Sequence, residues 1–401
     1  MRKLCVVLAT GVVLAASGVT AHAAGSALPR PLATSANDLG FKLFSQLAAK
    51  SPRGNVLISP TSIGLAMDMV FDASRGATRR QIASVLGLQG VSTDQEREAA
   101  RSLMADLAGS PDSAQLNVAA SFWTDLDAPI QPAFTQAMQQ YYDADAQSLD
   151  FSSPSAMQTI NAWVSKATQG KIPKIVESIP PTTIAYLINA VYFKGQWASP
   201  FQKVATAPHS FSGAGGPMTV QMMHQASHLG YFANKQVQVV QLPYGSPGQG
   251  RFAMSVILPR PHVSLQHVIA GLTPGKWAKW TANREALFVA LGLPRFSFKY
   301  STDLVPYLAA LGIRRAFDQY KANLTGMCTM RCSVNSVVHK TFIHVDEKGT
   351  IAAAATSVSG AIFAVSGFQV KMLVDRPFLI AISDEQTGSI LFLGAVRAPS
   401  G

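Results

Sequence analysis

His339-Lys-Thr-Phe-Ile-His-Val-Asp-Glu-Lys-Gly-Thr-Ile-Ala-Ala-Ala-Ala-Thr356 is the stretch on which the reading of the chain turns. Val338, Thr341, Ile343 and Val345 suit a β-strand. Glu347-Lys348-Gly349 then gives a polar break, expected to be mobile, with a glycine on which the chain can turn. Thr350, Ile351 and Ala352-Ala353-Ala354-Ala355 follow, and small residues continue to Ala361. By propensity alone an alanine run after a strand is a helix. The other reading is a segment too slight to make a core of its own, yet able to slide between two existing strands. The rest of the chain decides between them.

Its 401 residues allow two average domains or one large one. Arg2-Lys3, the apolar stretch Leu4 to Val19 and the small-residue site Ala21-His22-Ala23 read as a secretory signal peptide over residues 1–23. The apolar stretch is short of the ~20 residues that a membrane span needs, and no later run is long enough. The expected product is residues 24–401 as a single domain, secreted to an extracellular or periplasmic space. No Pro/Gly/Ser linker or internal repeat divides it.

Without Arg2 and Lys3 the chain carries 31 basic and 22 acidic residues, a net charge of +9. The excess is dispersed. Arg79-Arg80 and Arg314-Arg315 are mere pairs, and the amphipathic segment Thr93 to Leu107 mixes signs (Asp94, Glu96, Arg97, Glu98, Arg101, Asp106). This argues against a nucleic-acid or membrane partner and leaves a polyanion cofactor without support. Cys5 leaves with the signal. Cys328 and Cys332 can form a disulfide after export, closing a loop too small to add much stability. No histidine accompanies them at ligand spacing, so no metal is expected. Asn323-Leu-Thr325 matches the glycosylation sequon.

Helical signals come first. Ser35-Ala-Asn-Asp38 reads as a capping box before Phe41, Phe44 and Leu47. Ser59-Pro60 is a helix start, with Ile63, Met67 and Val70 on one face. Asn161 to Thr168 reads as a helix ended by Gln169-Gly170. Strand signals follow, at Phe252 to Leu258, Ala286 to Tyr300, and a closing hairpin of Phe378–Ile382 with Ser389–Val396. A helical interlude falls at Leu304 to Leu311. The order argues for α+β. HExxH, GxSxG, GxGxxG and P-loop motifs are absent, so nothing speaks for an enzyme or for a cofactor.

Several ordered blocks carry a resemblance. They are Asn55-Val-Leu-Ile-Ser-Pro60 with Thr61-Ser62-Ile63; Gly76-Ala77-Thr78; Asn161-Ala-Trp-Val164 with Thr168-Gln-Gly-Lys-Ile172; and Leu187-Ile-Asn-Ala-Val-Tyr-Phe-Lys-Gly-Gln-Trp197 with Pro200-Phe201. Met222-Met223, Leu242-Pro-Tyr244, Val256-Ile-Leu-Pro259, Leu293-Pro-Arg-Phe296 and Asp375-Arg-Pro-Phe378 continue the series. From about Ala36 to Pro399 the chain resembles the serpins. The resemblance implies three β-sheets, eight or nine helices and an exposed reactive-centre loop, here about residues 347–372. It also implies an inhibitor that is a monomer, not an enzyme. A serine protease attacks the loop, and the cleaved loop inserts into the large sheet, trapping the covalent acyl-enzyme.

Glu347, Lys348, Gly349, Thr350, Ile351 and Ala352 to Ala355 then form the hinge. The fourteen residues Thr350 to Phe363 span about 45 Å as a strand. Alternation turns Thr350, Ala352, Ala354, Thr356, Val358 and Gly360 inward, and none is charged or proline. Ile351 departs from the family's usual acidic residue but falls outward. Ser59, Ser62, Asn189 and His339 match the family's polar cluster under the opening strands, where His339 is either a switch or a satisfied core histidine. Trp197 matches the breach where the loop enters, and suits a core aromatic equally. Family spacing puts the reactive bond at Phe363–Ala364, which points to chymotrypsin-like proteases. Cleavage after Ile362, Ala364 or Val365 points instead to elastase-like or subtilisin-like ones. No Arg or Lys lies between Lys348 and Lys371, which disfavours trypsin-like targets. A cysteine-protease inhibitor and a non-inhibitory binding protein are the further alternatives.

Overall fold

A computed structural model describes residues 28, 30–109, 114–248, 250–350 and 369–400. The chain opens with helix α1 (Leu32–Lys50), strand β1 (Val56–Ile58) and helices α2 (Pro60–Ala73), α3 (Gly76–Leu86) and α4 (Thr93–Ala108). Next come β2 (Ala114–Asp125), α5 (Pro132–Tyr142), β3 (Asp145–Leu149), α6 (Pro154–Ala167) and β4 (Ala185–Gln196). A 3₁₀ turn (Lys203–Ala205) leads into β5 (Ala207–Gly213), β6 (Gly216–Ala233), β7 (Val237–Pro243) and β8 (Phe252–Pro259). Helices α7 (Leu265–Ala270) and α8 (Pro274–Ala282) precede β9 (Glu285–Pro294) and β10 (Phe296–Asp303). Helix α9 (Val305–Leu311), a second 3₁₀ turn (Arg315–Phe317) and β11 (Ser336–Val345) lead to the two-residue β12 (Gly349–Thr350). Strands β13 (Val370–Leu373), β14 (Phe378–Asp384) and β15 (Ile390–Val396) follow.

The fold is α+β. One sheet has six strands in the order β10-β11-β12-β4-β2-β3; the other has nine, running β1-β15-β14-β8-β7-β6-β9-β13 with β5 added on β6. The three expected sheets thus become two hydrogen-bonded units. The 18-residue β6 explains this: it pairs with β5, β7 and β9 along its length and fuses two sheets into one.

Alternation on β4 sends Leu187, Val191 and Phe193 into the main core, which α1, α2 and the nine-stranded sheet also line. Tyr186, Ile188 and Ala190 go into a second core capped by Ile160 and Val164 of α6. The six-stranded sheet is therefore covered on both faces. Helix α2 is buried along its whole length. Pro60 starts it, and the Ser59 hydroxyl accepts the Ser62 N–H as its cap.

Some expectations are corrected. Ser35 is not a cap: the helix starts a turn earlier, after Pro31, because Leu32 and Ala33 extend the buried face upstream. The helix read from Asn161 begins at Pro154, capped by the Ser153 hydroxyl. The apolar run Ala286 to Tyr300 is two strands, broken at Arg295 as the chain leaves one sheet for the other. Cys328 and Cys332 are joined by a disulfide. Among the described residues no helix is long and apolar enough to cross a membrane.

Candidate functional site

Strands β4 and β11 lie side by side at the middle of the six-stranded sheet. They pair directly and in parallel from Ser336–Tyr186 to Thr341–Val191. Beyond that point β12 is wedged between them, antiparallel to both, with Thr350 facing Val345 on β11 and Gly195 on β4. Val345 and Gly195 are offset by the same number of residues as Thr341 and Val191. A strand continuing from Thr350 therefore needs the seam to open sideways by one strand width, ~4.8 Å, with no lengthwise slide.

The turn feeding β12 is tied into its surroundings more fully than its composition suggests. The Asp346 carboxylate accepts the N–H groups of Lys348 and Gly349, at 2.9 and 3.1 Å, and the Asp346 N–H goes to the Gly349 carbonyl. Three donors bind the turn's own carbonyls: the Trp197 indole N–H to Asp346, the Trp197 N–H to Lys348 and the Phe201 N–H to Glu347. Glu347 is only 7% exposed, with its carboxylate accepting from the Thr206 hydroxyl at 2.7 Å and from the Arg295 guanidinium. Burial alone would raise its pKa, but the bonds from Arg295 and Thr206 outweigh burial and lower it. A turn of polar residues can be buried here because each of these polar groups finds a partner.

Lower on the seam, Ser59, Ser62, Asn189 and His339 come together, all fully buried. The Ser59 N–H donates to His339 Nε2 at 3.1 Å, so the ring carries its proton on Nδ1 and donates it to Asn189 Oδ1 at 2.8 Å. The Asn189 amide donates to the Ser62 carbonyl. Burial pushes the imidazole pKa down to about 3. The next inward residue, Thr341, donates its hydroxyl to the Leu57 carbonyl of β1. At the far end, Asn335 Oδ1 accepts the N–H groups of Ile184 and Ala185.

Trp197 is 3% exposed and stacks on Tyr244 at 4.6 Å between centroids, beside the wedge. Arg295, Thr206 and Tyr244 were not among the site residues expected from sequence. Tyr244 and Arg295 lie inside blocks that carry the resemblance, but their partners are 106 and 52 residues away. Ile351, Ala352, Ala353, Ala354, Ala355, Phe363 and Ala364 lie outside the described residues. Among those described, no group of three or more His, Cys, Asp or Glu is placed to hold a metal ion.

The family model described as "Serpin (serine protease inhibitor)" matches residues 34–399. The chain belongs to the serpin family. Human leukocyte elastase inhibitor is 36% identical over 372 residues, covering 89% of this serpin and 96% of the relative. The native structure of a thermophilic serpin, tengpin, superposes with a TM-score of 0.83 at 29% identity, over 91% of this chain and 94% of that one. Human thyroxine-binding globulin, solved in complex with thyroxine, gives 0.84 at 26% identity, over 92% and 99%.

Proposed function

We propose that this serpin is an irreversible suicide-substrate inhibitor of serine proteases, acting outside the cell after removal of residues 1–23. The observation that carries the reading is the wedge. Gly349 and Thr350 already occupy the first positions of a new central strand, and the register of β4 against β11 suits its continuation. Continued in that register, Ala352 meets Phe193 and Ile343, Ala354 meets Val191 and Thr341, and Thr356 meets Asn189 and His339. Small inward residues pass under the sheet without clash. A dozen new backbone hydrogen bonds at ~1 kcal/mol each make insertion irreversible.

The acyl-enzyme forms when the protease serine attacks the carbonyl carbon of Phe363 and the Ala364 amine leaves. Phe363 suits the deep apolar pocket of a chymotrypsin-like protease. A second reading, an elastase-like target with cleavage after Ile362, Ala364 or Val365, is favoured by the similarity to human leukocyte elastase inhibitor.

The test is to mix mature protein with chymotrypsin and, separately, with elastase, and to run denaturing gels. Sequencing the released peptide then identifies the cleaved bond. A stable high-mass complex with a new N-terminus at Ala364 supports the first reading; one at Phe363, Val365 or Ser366 supports the second. Clean cleavage with full protease activity in both mixtures counts against inhibition. N-terminal sequencing of the exported protein checks the leader.

A further inference from the structure

Among the described residues, one bond besides its backbone pairing holds Thr350 in the wedge. Its hydroxyl lies 2.6 Å from the phenol oxygen of Tyr244, and each residue is 1% exposed. Among the described residues this is the one hydrogen bond that the phenol makes. The ring cannot turn to seek another. It stacks on Trp197, and Phe193 meets it edge-on at 4.9 Å. Its backbone is tied on both sides, by Tyr244 N–H to the Phe252 carbonyl and Gly245 N–H to the Gln196 carbonyl. Gly195 of β4 leaves the space for it: a Cβ there would sit 2.8 Å from the ring. The phenol is thus a fixed marker at the mouth of the seam.

What the marker accepts is narrow. A slip of one residue would bring Gly349 or Ile351 opposite Gly195 and turn every later side chain to the wrong face. A slip of two would present Lys348 or Ala352, neither of which has a hydroxyl. Each of these slips leaves a buried phenol unpaired, which is unfavourable. We propose that Tyr244 is a positioning residue whose hydroxyl selects the Thr350 hydroxyl and so fixes the register in which the loop enters between β4 and β11. The inference rests on the inhibitory reading above. There the register matters because insertion competes with hydrolysis of the acyl-enzyme, and a misaligned start loses time.

The experiment compares Tyr244→Phe, Thr350→Val, Thr350→Ser and the double variant Tyr244→Phe/Thr350→Val in the full mature chain. The readouts are inhibitor consumed per protease inactivated, association rate constant, and amide exchange at Thr350 in the uncleaved protein. Tyr244→Phe is expected to raise consumption about fivefold, the size of one ordinary buried hydrogen bond. Association should change by less than about twofold, and exchange at Thr350 should accelerate by about the same fivefold factor. Thr350→Val should match it, the double variant should be no worse than either single, and Thr350→Ser should behave as wild type. Additive effects in the double variant would overturn the proposal. So would a Tyr244→Phe protein that melts earlier but partitions as wild type. If the wild type traps neither chymotrypsin nor elastase, the inhibitory reading falls by itself. Exchange then decides the register claim, and unchanged protection in Tyr244→Phe refutes it.

Discussion

The Nδ1–H of His339 is donated to Oδ1 of Asn189 across the seam between β11 and β4, at 2.8 Å. The two residues are also direct partners in the strand register. A strand inserted along this seam must part them, so the bond is one of the restraints that keep the native sheet closed. Its companion, the bond from the Ser59 N–H to Nε2, requires a neutral ring, because a protonated Nε2 cannot accept.

The consequence is a pH dependence with a definite sign. Burial holds the folded pKa at about 3, whereas an unfolded histidine titrates near 6.5. Between those values the unfolded chain binds the extra proton, so stability rises with pH. The contribution is whole above pH ~6.5 and is lost as pH falls toward ~3, by several kcal/mol at the limit. Denaturant unfolding of wild type and His339→Gln at pH 7, 5 and 4 checks this. The wild type should lose its advantage on acidification; two curves that stay parallel would exclude the assignment.

Thr350→Arg is expected to convert the inhibitor into a plain substrate. The position is buried between two strands, with the Tyr244 phenol as its side-chain partner and, among the described residues, no carboxylate bonded to it. An arginine there buries an unpaired charge, costing several kcal/mol, and insertion would carry that cost throughout. Gels with the target protease should show the cleaved form in place of the complex. Undiminished complex formation would contradict the wedge as the starting point of insertion.

Much of this is legible from sequence because it is local. The Ser59-Pro60 helix start, the strand through Ile343 and Val345 and the closing hairpin each depend on a few neighbouring residues. The site is less legible because it is made by pairs far apart in the chain. His339 and Asn189 are 150 residues apart, and Tyr244 and Thr350 are 106 apart. No periodicity reports such pairs; only the resemblance placed His339 with Asn189, and nothing placed Tyr244. The polar turn at Glu347 is only partly legible for the same reason. Its composition gives the polar break, and the partners that tie it in, Arg295, Thr206 and Trp197, belong to other elements. Ala286 to Tyr300 misled in another way. Strand propensity continues through Arg295, but the chain changes sheets there.

Gly349→Ala tests whether the wedge needs its close approach to β4. An added Cβ would lie 2.0 Å from the Gly195 carbonyl oxygen, a contact that no side-chain adjustment can relieve. The alanine should push β12 out of the seam and undo the bonds from Trp197 and Phe201 to the turn. Indole fluorescence of Trp197 should change, and the native form should unfold at lower denaturant by about 1–3 kcal/mol of stability. Wild-type fluorescence and stability would mean that the hinge is not seated between β4 and β11 in solution.

Asp68→Asn should stabilise the protein, and the gain should grow with pH. Asp68 is buried on α2, the helix whose first turn carries Ser59 and Ser62. It interacts with Glu96 of α4, which is fully buried, accepts from the Tyr142 hydroxyl at 2.5 Å and, among the described residues, leaves its second oxygen unpaired. The nearby Arg97 is committed to Asp72 through two bonds, at 2.6 and 2.9 Å. Burial pushes Asp68 up to about 8, far above the ~4 of an unfolded aspartate. Between those values the folded state holds a proton that the unfolded chain has released, so stability falls as pH rises, and the full cost is felt above pH ~8. Asparagine keeps the shape and removes the charge. It should be nearly neutral at pH 4 and worth a few kcal/mol at pH 9. Unfolding midpoints of both proteins across that range measure the difference. A gap that is constant, or widest in acid, would show that Asp68 is ionised and paired in the folded protein.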